Sequence, residues 1–240
     1  MLLLAVDTCD SRGGLAILRD GDLLAQKGHD TGEDYSSWLI PACQELLTSA
    51  GLRIGEMDAY VAASGPGSFT GVRVGLTTVK AWSEVFGKPV LGISRLEAIA
   101  SQVSEPTSYV ASFFDARRRQ VFGAVYHRSA AGLRRIQDEM VIAPGGFIEW
   151  VASEAGAESV SWASLDLDAV RADPAWKSRT DRGDFIQEVS PPLAPAIGRL
   201  GFAQYLAGRA TDALQLDANY VRRSDAELLW KSPARRTSHA

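Results

Sequence analysis

The stretch Ala62 to Leu76, AASGPGSFTGVRVGL, holds four glycines, a proline and three small hydroxyl residues in a chain that is otherwise evenly mixed. Two chemistries suit it. A phosphate loop of the Walker type requires glycine, four spacers and then Gly-Lys-Ser or Gly-Lys-Thr, because the lysine must reach the outer phosphates. Here the sequence reads Gly71-Val72-Arg73, so the strict motif is missing. A glycine-rich turn that opens a helix still offers free backbone N–H groups to an anion, and Asp7, Thr8, Gly65, Gly67 and Ser68 are the candidate contacts. The second chemistry is steric. Gly65 and Gly67 permit backbone angles other residues resist, Pro66 stiffens the turn, and Ser68 or Thr70 caps the helix. The steric reading is the favoured one.

Asp7 and Asp115 each end an apolar run, as metal-binding carboxylates do when a second acid supports them. Asp10 is the one nearby companion, so no metal is expected; Asp7 reads as a hydrogen-bond acceptor and Asp115 as a partner of Arg117 or Arg118. Arg117, Arg118 and Arg119 form a positive turn that could meet RNA phosphates within a complex, with Arg134 and Arg135 adding to it across a sheet. No aromatic residues interleave it to read bases. His29, His127 and His239 stand apart from any serine or cysteine with motif context, which excludes a hydrolytic triad. Cys43, beside Pro41 on the apolar side of a helix, reads as core.

The elements that position these residues follow from periodicity. LLLAVD, GLAILRDG and DLLAQKG give a strand and a hairpin. Residues 34 to 50 carry Tyr35, Trp38, Leu39, Ala42, Leu46 and Leu47 at helical spacing before Gly51. DAYVAAS is a strand, Val72 to Phe86 a helix ending at Gly87, and PVLGIS another strand, which together imply a right-handed parallel crossover. Ser94 caps a further helix, with Glu97 three places on. SEPTS reads as a linker. A second unit starts near residue 106 with SYVASFFDARRRQVFGAVYH, two strands about a charged turn; residues 165 to 189 carry no firm assignment, and PLAPAIGRLGFAQYLAGR is a helix. The division is 1–105, 106–230 and a basic tail at 231–240.

On the second helix Gly71, Gly75 and Thr77 or Thr78 share a small face that lets another helix come close. Tyr35, Trp38, Leu39, Ala42 and Leu46 from the first helix, with Gly71, Val72, Gly75, Thr78 and Val79 from the second, are the expected partner surface. On this reading Gly75→Arg abolishes pairing and leaves the isolated fold intact. Composition adds bounds: 25 basic against 29 acidic residues, net charge −4, give no global cationic surface for nucleic acid. Two distant cysteines argue against a disulfide framework or structural zinc and fit a reducing cytoplasm, and MLLLAVDT reads as a buried strand rather than a leader.

GPGSFTGVRVGLTTVKA, with MLLLAVDT before it, PVLGISRLEAIA and DARRRQV after it and the ending LDANYVRRSDAE, resembles the TsaB (YeaZ) family of tRNA-modification subunits. The resemblance implies an α/β actin-like or Hsp70-like ATPase fold, made of two RNase H-like units with mixed five-stranded sheets flanked by helices. It also implies a non-catalytic scaffold in the machinery that installs threonylcarbamoyl on tRNA adenosine. Its partners would be the catalytic homologue TsaD and the ATPase TsaE; from the residues themselves, tRNA is expected to be met by the arginine turn only within the complex, and an exposed apolar helix face suits a homodimer when the chain is alone. No resident cofactor is implied, only weak ATP or ADP binding at a shared interface. Two departures stand out: Tyr35-Ser36-Ser37 replaces the family's histidine-serine-glutamate helix entry, and Cys9 takes a hydroxyl position. The competing reading is an ATP-dependent phosphotransferase or ATPase using Asp7, Thr8 and the glycine loop; a glycoprotease-like hydrolase is disfavoured by the missing zinc-type histidine pair.

Overall fold

A computed structural model describes residues 1–29, 32–130 and 132–222. The three opening apolar runs form an antiparallel meander, β1 (Leu2–Asp7), β2 (Gly14–Arg19) and β3 (Asp22–Gly28). Asp20 and Gly21 join β2 to β3 with positive φ at both positions, the geometry that matches a two-residue turn to strand twist. After α1 (Tyr35–Ser49), β4 (Ala59–Gly65), α2 (Phe69–Phe86) and β5 (Val90–Ser94) add in parallel, giving a five-stranded sheet in the order β3-β2-β1-β4-β5. Helix α2 starts three residues before the periodicity suggests. Ser68 explains this: its Oγ accepts from the Gly71 N–H at 3.3 Å and fixes the first turn.

The second sheet follows α3 (Arg95–Ala100), whose cap Ser94 accepts from the Leu96 and Glu97 amides. Strands β6 (Tyr109–Asp115), β7 (Val121–Ser129), β8 (Gly132–Arg135), β9 (Met140–Ile142), β10 (Val160–Ser164) and β11 (Phe185–Glu188) run in the order β11-β10-β6-β7-β8, with β9 also on β7. This sheet therefore has six strands rather than five, the short β9 being the addition. Helix α4 (Pro144–Ala155) covers one face through Phe147 and Val151, against Phe113 and Trp162. The other face, with Val110 and Phe114, closes onto the first sheet's core. The unassigned stretch 165 to 189 folds as α5 (Asp168–Arg171), a turn at Pro174–Trp176, α6 (Lys177–Thr180) and β11. It is organised by the buried pair Arg179–Asp184, bidentate at 2.6 and 3.0 Å, on which the Trp162 indole N–H also converges.

Helix α7 (Ala194–Leu206) lies after the second sheet in the chain but packs on the first. Gly198 seats against Leu18 and Gly201 against Val61, side chains on the sheet face opposite the one that Val6 turns toward α2. Chain order alone placed it in the second unit; its small stripe at Gly198 and Gly201 fits the bulky first sheet. The tail 231–240 lies outside the described residues. No helix among the described residues is long and apolar enough to cross a membrane.

Glu139 binds the two sheets together. Its buried carboxylate accepts from Ser94 Oγ, from Asn219 Nδ2 at 2.5 Å and from Arg135 Nη1 at 3.3 Å. Burial raises the pKa of Glu139, and burial followed by repulsion from Glu139 raises that of Glu97. A carboxyl whose pKa rises on folding binds more protons in the native state, so its contribution to stability falls as pH climbs from the ordinary value of 4.5. Glu97→Gln is accordingly expected to raise the melting temperature at about pH 7.5 and to lose that gain by about pH 4. Calorimetry at the two pH values checks this, and an equal gain at both would contradict it.

Candidate functional site

Asp7 ends β1 fully buried, and Arg95, the first residue of α3, is buried beside it. The Arg95 Nε donates to Asp7 Oδ2 at 3.2 Å and its Nη2 to Asp10 Oδ2 at 3.4 Å. Its guanidinium lies over the Phe114 ring of the second sheet, 4.9 Å from the centroid. Asp7 Oδ1 accepts the Cys9 amide at 3.0 Å. One guanidinium thus bridges the two carboxylates that the fold brings to the end of β1, and Arg12 adds a second positive charge 3.8 Å from Asp10. Burial works to raise the pKa of Asp10, but Arg95 and Arg12 prevail and hold it below the usual range.

Thr8 is buried as well, its hydroxyl donating to the Gly71 carbonyl at 2.6 Å. The glycines explain the contact. A Cβ at Gly71 would overlap the Thr8 carbonyl oxygen, and one at Gly75 would meet Thr8 Oγ1 at 2.5 Å. At Gly67 it would meet the Cys9 backbone, and at Gly65, whose φ is +111°, the Asn219 carbonyl at 2.9 Å. The glycine loop is therefore a joint inside the chain, closing α2 onto β1 and the 216–222 segment onto β4. Of the five candidate phosphate contacts, Asp7 and Thr8 are spent internally and Gly65 is buried, while half-buried Gly67 and exposed Ser68, which caps α2, face the space between the two sheets.

The same packing corrects the expected partner surface. Trp38, Leu39, Ala42, Leu46, Gly71, Val72, Gly75 and Val79 are all buried in the chain's own core. The small face of α2 meets β1 rather than a neighbour, because Thr8 occupies the space the glycines leave. Tyr35 and Thr78 are half-buried and line an open groove between α1 and α2, of about 510 Å³, together with Ile40, Phe69, Val74 and Thr77. Tyr35, the departure at the helix entry, anchors the β1–β2 turn: its hydroxyl donates to the Asp10 carbonyl and accepts from the Gly13 amide at 2.9 Å. Periodicity placed both helices, but the stripe it marked as a partner surface is the one they bury.

Between the sheets runs a cleft of about 810 Å³. Arg12, Arg95, Arg117, Arg118 and Arg222 line it, with Asp10, Asp115, Asp166 and Glu188. Arg117, Arg118 and Arg119 turn the β6–β7 hairpin with φ of 63°, 55° and 57°, three successive left-handed residues. Asp115 stabilises that turn by accepting the Arg117 amide at 2.8 Å and pairing with its guanidinium at 3.4 Å. Arg134 and Arg135 do not join the cluster. They pair with His127 and Tyr126, about five residues and roughly 17 Å along β7 from the turn, and Arg135 pairs with Asp138 and Glu139. Cys43 is core, burial pushing its thiol up to about 12. Among the described residues no three His, Cys, Asp or Glu side chains converge on a metal position.

A family model described as TsaD, tRNA N6-adenosine threonylcarbamoyltransferase, matches residues 29–171, more than half of the chain. The chain is similar to the Bacillus subtilis tRNA threonylcarbamoyladenosine biosynthesis protein TsaB, 29% identical over 62% of this chain and 65% of that protein, just under two thirds of its length. It is also similar to the TsaB of Haemophilus influenzae, 27% identical over 96% of both. A crystal structure from Pseudomonas aeruginosa, described as similar to peptidase YEAZ, superposes with a TM-score of 0.72 and 27% identity over 92% of this chain and 99% of that one. A Thermus thermophilus ROK hexokinase, 12% identical over 87% of this chain and all of that one, shares the fold with a TM-score of 0.51. The two mixed sheets flanked by helices are the actin-like ATPase architecture, and the chain belongs to the TsaD-type family, in its TsaB (YeaZ) group.

Proposed function

We propose that this chain is a non-catalytic subunit of tRNA threonylcarbamoyladenosine biosynthesis that docks a TsaD-type transferase through the groove between α1 and α2. The observation that carries the reading is the contrast between two surfaces. At the end of β1 the acid and hydroxyl that the fold offers to phosphates are buried and bonded to Arg95 and Gly71. On α1 and α2 an open, largely apolar groove remains, with Ile40 half exposed. Such a patch marks an interaction site. With the transferase absent, the same face pairs two copies of the chain. A TsaE-type ATPase completes the assembly, and Arg117, Arg118 and Arg119 contact tRNA phosphates only within it. The chain has no cofactor of its own, and ATP or ADP binds weakly and only at the shared interface.

The test is reconstitution of threonylcarbamoyladenosine formation from purified subunits, with and without this chain. Product should require it, and undiminished product without it would refute the role. Thr77→Glu, which places a charge on the exposed, groove-lining side of α2, is expected to weaken transferase binding about a hundredfold in calorimetry while leaving the melting temperature near wild type. The complex carrying alanine at 117, 118 and 119 tests the tRNA contact: unchanged tRNA affinity removes it. The phosphotransferase reading requires magnesium-dependent nucleotide binding by the isolated chain. A thermal shift with about 1 mM ATP and magnesium would revive it.

A further inference from the structure

The segment 216–222 is irregular, yet nearly every residue of it is tied down. Leu216 is buried against Gly92. The Asn219 amide donates to the Ser64 carbonyl at 2.7 Å, and its side chain reaches Glu139 of the second unit at 2.5 Å. Arg222 donates to the Ala116 carbonyl and to Gln120 Oε1, each at 2.7 Å, gripping the arginine turn from behind. The segment thus spans the cleft from one sheet to the other.

Tyr220 sits at the middle of this span and leaves it sideways. Its ring tilts on Phe69 at 5.2 Å between centroids, and its hydroxyl accepts from Arg73 Nε at 2.9 Å. Arg73 in turn lies over the Phe69 ring, 3.8 Å from the centroid. Phe69 and Arg73 line the groove between α1 and α2, and Phe69 and Tyr220 line the cleft. The three side chains form one stack shared by both surfaces. Phe69 and Tyr220 remain 43% and 45% exposed, which leaves their outer faces available for contact.

We infer that the docking face is composite: the 216–222 strap completes it, because Tyr220 holds Arg73 and Phe69 in place at the groove's end. This rests on the docking reading above. Arg73 is the single charged side chain among the groove's lining residues. The occupant that fits is therefore an apolar helix of the partner subunit carrying a carboxylate opposite Arg73. Tyr220 acts as a positioning residue. Since the strap also bridges the sheets, partner binding and strap seating stabilise each other by the same factor, as linkage requires.

Calorimetric titration of the full chain with the transferase subunit tests the inference. Tyr220→Ala is expected to weaken binding about tenfold, and Tyr220→Phe, which keeps the ring stack but loses the acceptor for Arg73, about threefold. Arg73→Glu should weaken it about a hundredfold. Amide exchange in the wild-type chain provides a measure free of mutational damage: protection of the Asn219 amide should rise on complex formation. Wild-type affinity for Tyr220→Ala, or unchanged Asn219 protection in the complex, overturns the inference. Thr77→Glu, at an exposed position of the groove, separates the two failures. If it loses binding while Tyr220→Ala does not, the strap is irrelevant and the groove stands; if it binds normally, the docking reading itself has failed.

Discussion

Replacing Arg95 with methionine should lower the thermal midpoint by about 6–20 °C. The variant leaves the fully buried Asp7 carboxyl without its counter-charge, with the Cys9 amide on its other oxygen. Removing one member of a buried ion pair costs about 3–5 kcal/mol, and each kcal/mol is worth about 2–4 °C in a chain of this size. The double variant Asp7→Asn with Arg95→Met should recover much of the loss, because a neutral pair of similar volume avoids both desolvation penalties. Differential scanning calorimetry of the two variants decides the matter. A single variant within about 2 °C of wild type would mean that Asp7 is not held as an ion pair.

Gly71→Ala is expected to destabilise the chain by about 3 kcal/mol, and Gly75→Arg to prevent folding. At both sites the new side chain runs into Thr8, at Gly71 into its backbone, which cannot rotate away. From periodicity alone Gly75→Arg would spare the fold and cost only pairing. The structure reverses this, because the glycine face of α2 is an internal seam. Urea unfolding followed by circular dichroism distinguishes the two: a Gly75→Arg chain that purifies with a wild-type midpoint would restore the earlier reading.

The reason for that error is physical. Helical spacing shows that a face is small, and smallness permits close approach, but it does not say to what. The partner in the seam is Thr8, more than sixty residues away in the chain. The parallel crossover, the Ser68 and Ser94 caps and the pairing of Asp115 with Arg117 were legible, because each depends on neighbours in sequence or on a repeating pattern. The Arg95–Asp7 pair was not, since an arginine after a cap residue looks like any solvated first-turn side chain. The same holds for 165 to 189: Arg179 and Asp184 read as surface charges, and only their burial beside Trp162 shows them to be the centre of that region.

The position of α7 bears on synthesis. One face of the first sheet waits for a helix encoded about a hundred residues after β5. At a translation rate of about 5–20 residues per second, Leu18 and Val61 stay bare on the nascent chain for roughly 5–20 s after β5 has emerged. Ribosome-bound fragments ending before residue 194 should therefore be the species that chaperones hold, and this sheet is covered only when α7 returns to the first strands.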